Sequence, residues 1–261
     1  MVRSCSPSWS TCCSARRCLG CGAGGWPFCG ACLASVAVLY GPGCRTCGRP
    51  LEVTVDRCPD CPPGDVGWAR SAFLYEGPVR RALFRLKFSG VRSAAAALAP
   101  VMVWALTSGP GPPAGMPADE PAWTITWVPL GRRRKRTRGY DQAEALARAV
   151  GSCAGWPVER LLARRVETSP QAQRSGADRR RALHGAFRVI ARPPPRILLI
   201  DDVLTSGATV AECANVLRQA GALDVGVLTA ARSLGNGVPG RCYNAQGLPP
   251  GSVVAREIAS R

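Results

Sequence analysis

Apolar positions come in blocks whose spacing changes along the chain, and each change marks an element. From Trp68 onward apolar residues become frequent, and Trp68–Tyr75 predicts a strand. Pro78–Phe88 predicts a helix, because Val79, Leu83 and Leu86 recur at helical spacing with Arg80, Arg81, Arg85 and Lys87 between them. Those cations, Arg85 and Lys87 included, are expected on a solvated face. An Ala-rich helix follows over Val91–Leu106, then a strand over Trp123–Val128. Ala143, Leu146, Ala147 and Val150 share one face of a further helix, capped by Tyr140 or Asp141. Leu161–Arg165 and Ala186–Ile190 read as short strands, the second preceded by a basic helix over Asp178–Leu183. Arg196–Ile200 opens an unbroken aliphatic run, the pattern of a strand buried on both faces. Val210–Ala220 is a helix stopped by Gly221, and Val225–Ala231 is the last strand. Strands alternating with helices predict an α/β domain over residues 68–232, an open parallel sheet with helices on both faces.

The flanks are different. Residues 1–17 are polar and predict a disordered leader, 62–67 a linker, 108–121 a flexible surface loop, and 233–261, rich in Gly and Pro, a disordered tail. Between leader and linker stand four Cys-x-x-Cys pairs: Cys18/Cys21, Cys29/Cys32, Cys44/Cys47 and Cys58/Cys61. Such a tight turn aims two sulfurs at one ion, and two turns complete a tetrahedron, so residues 18–61 predict a module holding about two structural zinc ions. Pairing in sequence order and an interleaved pairing both fit, since the loop between Cys21 and Cys29 is short. A segment this small with so little apolar content needs metal to fold.

The aliphatic run ends in Asp201-Asp202, followed by Val203-Leu204-Thr205-Ser206-Gly207-Ala208-Thr209 and the helix. The carboxyl end of a parallel strand is where open α/β sheets hold ligands. Small and hydroxylated residues at a helix start leave backbone N–H groups free for an anion. Two acids just upstream suit sugar hydroxyls. This string resembles the phosphoribosyl-diphosphate (PRPP) motif of type I phosphoribosyltransferases. The resemblance implies that Asp201 and Asp202 bind the ribose hydroxyls, that Thr205, Ser206, Gly207, Ala208 and Thr209 bind the 5′-phosphate, and that PRPP comes with Mg²⁺.

The ordered set points further. Four zinc pairs, Lys87-Phe88, Val128-Pro129-Leu130, the arginines from Arg132, Arg138-Gly139-Tyr140-Asp141-Gln142, Ser169-Pro170-Gln171, Gly185-Ala186-Phe187 and the PRPP motif resemble the ComF (ComFC) family of competence-associated proteins. Three positions depart from it: Asp141 where Asn is usual, Tyr140 for Phe, and Gly131 for His. Resemblance to the transferases puts a pyrophosphate loop at Pro129–Arg138, with Leu130, Arg132 and Arg138 as pyrophosphate or DNA contacts, and a mobile loop at Gln171–His184 that includes Arg174. The Asp that moves a proton in hypoxanthine-type transferases is here Thr205, so no catalytic residue is assigned.

The chain carries a formal net charge of +17, which two zinc thiolate sites would lower only slightly. Such charge suits phosphate-rich partners. No apolar stretch is long enough to span a bilayer, and no signal peptide is evident; metal-type cysteine pairs fit the cytoplasm. Three functions follow as expectations: a phosphoribosyltransferase with an unknown acceptor, a single-stranded DNA-binding protein, and a zinc adaptor docking to a competence helicase.

Overall fold

The computed structural model describes residues 17–64, 66–110, 123–165 and 183–234, with the backbone of Tyr243–Asn244. The elements in chain order are α1 (Gly30–Leu33), β1 (Ala37–Val38), β2 (Trp68–Leu74), α2 (Gly77–Phe88), α3 (Ser93–Ala105), β3 (Thr124–Trp127), α4 (Arg132–Arg138) and α5 (Gln142–Ala154). Then come β4 (Leu162–Arg164), β5 (Phe187–Val189), β6 (Arg196–Leu204), α6 (Ala208–Gln219), β7 (Asp224–Arg232) and β8 (Tyr243–Asn244).

The main sheet has the order β3-β6-β7-β2-β1-β8. Its first four strands are parallel, so their carboxyl ends share one edge. β1 and β8 extend it antiparallel. β6 alternates as a doubly covered strand must. Leu198 and Ile200 face one apolar layer with residues of α2, α3 and α5, whereas Ile197 and Leu199 face another with α6, β4 and β5. The second layer also takes in Cys44, Cys47 and Cys58, so part of the cysteine module closes the sheet's second face. β4 and β5 form a separate antiparallel pair, Leu162 opposite Val189.

The cysteine module is bound to the sheet by arginines. Arg232, 2% exposed at the end of β7, donates to the carbonyls of Cys47 (2.7 Å) and Asp60 (3.3 Å). Arg81 and Arg85 on α2 donate to Gly20 O (2.7 Å) and Cys18 O (2.8 Å). Arg85 is therefore an interface residue, not the solvated cation its spacing suggests. Between Cys61 and β2, Pro62 and Val66 are buried, and the Gly67 N–H donates to Val225 O at 3.1 Å. The stretch expected as a tail contributes β8, and Leu234 packs on Leu39 and Leu74. Most of the expected leader and tail lies outside the described residues.

Candidate functional site

β6 carries the acid pair near its carboxyl end and pairs with β7 as far as Leu204. Asp201 turns back on the chain: its Oδ1 accepts from the Asp202 N–H at 2.8 Å. Asp202 Oδ2 lies 2.8 Å from Lys87 Nζ, with side chains 9% and 20% exposed. Burial and then the neighbouring Asp202 charge push the Asp201 carboxyl well above the ordinary carboxylate range. Burial alone would lower the Lys87 ammonium, but the Asp202 carboxylate outweighs it and raises the pKa. Lys87 thus departs from the solvated face expected for it. It sits four residues after buried Leu83 and next to buried Leu86, on the flank of the helix's apolar stripe, and that spacing is the signal that could have found it.

The loop after the acids turns directly into α6. Gly207 is its N-cap, at φ 75°, and no side chain caps the helix. The first-turn N–H groups therefore face outward from the carboxyl edge of the sheet, with Thr205 and Ser206 exposed beside them. A side chain at Gly207 would fail twice: the backbone is left-handed, and a Cβ would lie 2.7 Å from Pro62 Cβ. Pro62 follows Cys61, so the cysteine module abuts the loop. Nothing in the sequence signals that contact.

The turn at Pro129–Leu130–Gly131 leaves β3 beside β6, since the Val128 N–H donates to Ile200 O at 3.0 Å. Asp141 holds it there. One carboxylate oxygen accepts from Leu130 N–H (2.8 Å), the other from Ala143 N–H (3.1 Å) and Glu144 N–H (3.5 Å), the last two capping α5. Burial raises the Asp141 pKa in spite of these N–H groups. Thus Asp141, not Tyr140, is the cap, and its charge is turned inward. Residues 132–138, all basic but Thr137, form helix α4 with Arg132, Lys135 and their neighbours exposed. Arg138 donates to Gln142 Oε1 at 3.1 Å and its guanidinium lies 4.5 Å from the Phe88 ring centre. A cavity of about 830 Å³ opens between Pro129–Arg132 and the β4–β5 pair. Arg174 lies outside the described residues. His184 is exposed, its Nδ1 3.9 Å from Glu212 Oε2.

The eight cysteines pair in sequence order. Cys18, Cys21, Cys29 and Cys32 form one set and Cys44, Cys47, Cys58 and Cys61 the other, each with all four sulfurs within 4.8 Å. Measured sulfur separations of 3.6 Å (Cys21–Cys29), 3.5 Å (Cys44–Cys61) and 3.5 Å (Cys47–Cys58) approach the edge of a tetrathiolate zinc site, about 3.8 Å for Zn–S bonds of ~2.3 Å. Backbone N–H groups reach the lead sulfurs: Gly20 and Cys29 to Cys18 Sγ at 3.3 and 3.2 Å, Cys47 to Cys44 Sγ at 3.4 Å. Burial would raise the Cys18 thiol, yet the N–H groups of Cys21, Cys29 and Gly20 bring it down to about 6. Cys44 is lowered to about 7 against burial by the Cys47 N–H and neighbouring groups, while burial pushes Cys32 up to about 12 and Cys58 to about 11. Each set fits zinc. Buried Arg70 lies beside the second set, whose sulfurs favour its charge although burial lowers its pKa.

Among the described residues no helix is long and apolar enough to cross a membrane. The molecule is thus an α/β protein with a parallel core, an acid pair and an uncapped helix start at its carboxyl edge, and two four-cysteine sites against its flank. No protein-family model matches the chain. It is 30% identical over 225 residues to the DNA utilization protein YhgH of Salmonella typhi, covering 79% of this chain and 97% of that one. It is 28% identical over 205 residues to competence protein F of Haemophilus influenzae (74% and 85%), and 34% over 98 residues to competence protein ComFC of Streptococcus pneumoniae (38% and 43%). The chain belongs to the ComF family. Among solved structures it overlaps the allosteric regulatory enzyme of purine biosynthesis at TM-score 0.35 and 22% identity, over 53% of this chain and 26% of that one. The glutamine PRPP amidotransferase of B. subtilis gives TM-score 0.34 at 21% identity, over 52% and 26%. Overlaps this slight have no bearing on function.

Proposed function

We propose that this protein binds PRPP with Mg²⁺ at the carboxyl end of β6 and acts in the handling of DNA during competence. One observation carries the reading: two adjacent carboxylates near the end of β6 are followed, after the short stretch 203–207, by an uncapped helix whose left-handed Gly207 leaves N–H groups open. Asp201 and Asp202 would take the ribose hydroxyls and residues 205–209 the 5′-phosphate. The Pro129–Gly131 turn, beside β6, would take the diphosphate. Bound Mg²⁺ would neutralise part of the diphosphate charge. The residues fit such a ligand: Asp201 and Asp202 crowd two carboxyls together, and Lys87, which favours the charged form of both, pairs directly with Asp202. In a transfer reaction an acceptor atom would bond to C1 as the C1–O bond to diphosphate breaks. The bonding pair leaves on diphosphate and the acceptor's proton passes to solvent. The test is thermal unfolding with PRPP and Mg²⁺. Wild type should gain stability through ligand linkage, and Asp201→Asn with Asp202→Asn should not. Equal gains would overturn the reading.

A second role, binding single-stranded DNA, is favoured by one surface. Phe84 and Phe88 are 58% and 57% exposed with ring centres 4.7 Å apart, beside basic α4 and under Arg138. Exposed aromatic rings next to a cationic helix are what stacked bases and their phosphates require. Phe84→Ala with Phe88→Ala should weaken oligonucleotide binding at least tenfold; unchanged affinity would remove this role.

A further inference from the structure

The second cysteine set reaches both ends of the phosphate loop. The loop leaves β6 at Leu204, which stands opposite Arg232 in the ladder. The Ser233 N–H donates to Leu204 O at 2.9 Å. Arg232 is buried, and its guanidinium donates to Cys47 O at 2.7 Å and Asp60 O at 3.3 Å. Those carbonyls come from both turns of the set: Cys47 ends the first Cys-x-x-Cys turn, and Asp60 lies inside the other. At its far end the loop enters α6 through Gly207, where Pro62 stands so near that an added Cβ would lie 2.7 Å from the proline Cβ. Pro62 is bonded to Cys61, the last cysteine of the set. Between these two anchors the loop has only Thr205 and Ser206, both exposed.

The first turn of α6 rests on the same set. Cys44, Cys47 and Cys58 share one apolar layer with Leu204, Ala208 and Ala211, and Cys61 packs against it. The first set is placed elsewhere: its carbonyls at Cys18 and Gly20 take Arg85 and Arg81 of α2, and Leu19 packs in the other layer. In the second set Cys44 and Cys61 bring their sulfurs to 3.5 Å, as do Cys47 and Cys58, so a shared ion would fix one turn against the other. Thiolates gathered this closely repel one another without a cation. Release of the ion would therefore free the turn that carries Asp60 and Pro62, and with it both anchors of the loop.

We propose that the second cysteine set is a regulatory metal site for the phosphate loop. Zinc in that set and a phosphate ester on residues 205–209 strengthen each other's binding, because each fixes Pro62 and Leu204 for the other. Zinc in the first set is structural and independent of the loop. The identity of the phosphate ligand rests on the PRPP reading; the coupling rests on the two anchors. Such coupling is reciprocal: the factor by which zinc tightens PRPP is the factor by which PRPP tightens zinc.

The test challenges the zinc-loaded full chain with graded zinc chelator, with and without saturating PRPP and Mg²⁺, and then alkylates the accessible thiols. Peptide mass spectrometry reads each set by its most accessible cysteine, Cys21 for the first and Cys61 for the second. PRPP should raise the chelator concentration that unmasks Cys61 at least fivefold and leave the Cys21 midpoint within twofold. Calorimetry on chain stripped until Cys61 is unmasked should show PRPP affinity lower by a matching factor. Asp201→Asn with Asp202→Asn should cancel the shift at Cys61, which separates it from chelation by PRPP itself. Pro62→Gly keeps every cysteine and should shrink the shift at least twofold. Equal shifts at Cys21 and Cys61, no shift at either, a shift that survives in the double Asp variant, unchanged PRPP affinity in the stripped chain, or full coupling in Pro62→Gly would each overturn the proposal. If PRPP fails to bind zinc-loaded wild type, the PRPP reading falls instead, and Gly207→Ala tests the coupling without ligand. Its added methyl group meets Pro62, so Cys61 should be unmasked at a chelator concentration at least fivefold lower, with Cys21 unchanged. A Cys61 midpoint equal to wild type in Gly207→Ala would overturn the coupling as well.

Discussion

Replacing Gly207 by alanine perturbs the phosphate loop at the point where it meets the cysteine module. The residue has φ 75°, and an added Cβ would lie 2.7 Å from Pro62 Cβ and 3.0 Å from Pro62 Cα. Left-handed backbone costs an L-residue about 1–2 kcal/mol. The clash involves backbone of a buried proline, which cannot swing aside, and overpacking of this kind costs roughly 1–3 kcal/mol. The sum, about 2–5 kcal/mol, corresponds to a fall in Tm of roughly 5–15 °C for a domain of this size. Gly139 supplies the control. It has φ 74° and nothing within 4 Å of its added Cβ, so Gly139→Ala carries the backbone strain without the clash. Thermal unfolding of both variants separates the two terms. Pro62→Ala in the Gly207→Ala background should recover part of the difference, a coupling a double-mutant cycle measures directly. PRPP affinity should drop at least tenfold in Gly207→Ala and stay within twofold of wild type in Gly139→Ala. Equal destabilisation of the two variants, with unchanged PRPP affinity, would refute the claim that Pro62 supports the loop.

Lys87→Met leaves Asp202 without its cation in a largely buried place and should cost about 3–5 kcal/mol by denaturant unfolding. Raising Mg²⁺ and PRPP should restore part of that stability. The buried Asp141 carboxyl has its folded pKa raised, so the folded state binds more protons than the unfolded chain across the interval above roughly pH 4. Its contribution therefore weakens as pH rises through that interval and returns as pH falls. Asp141→Asn should flatten this part of the stability profile; an unchanged slope contradicts the assignment. Zinc analysis should return two ions per chain. Cys21→Ser, in the set away from Pro62, should lower Tm and leave PRPP affinity within twofold. Cys58→Ser, in the set that ends at Pro62, should lower both.

The sheet is legible in the sequence because β6 opens on an aliphatic run, the other core strands are short and mostly apolar, and the helices carry plain stripes, as at Val210, Cys213, Ala214 and Leu217. The acid pair and the cysteine sets are legible because their chemistry lies in short contiguous strings. Contacts between distant segments are not. Arg232 reads as the end of a strand, yet its guanidinium is committed to carbonyls of the cysteine module, and no local pattern encodes that. Cysteine pairing stays open at the level of sequence because spacing alone allows two solutions, and the chain path through α1 and β1 chooses between them. Residues 132–138 are expected as part of a pyrophosphate loop by resemblance to the transferases. A helix forms there nonetheless, started at Gly131 and closed by left-handed Gly139. Arg138 is a candidate pyrophosphate or DNA contact by resemblance, and its position against Gln142 and Phe88 is a long-range feature that the resemblance does not supply.

The measurement that bears most directly on the central claim is a crystal structure with PRPP and Mg²⁺. The account predicts ribose hydroxyls on the carboxylates of Asp201 and Asp202, the 5′-phosphate on the N–H groups of residues 205–209, and the diphosphate against the Pro129–Gly131 turn. PRPP bound elsewhere, or a well-ordered 205–209 loop that takes no phosphate at saturating PRPP, would contradict it.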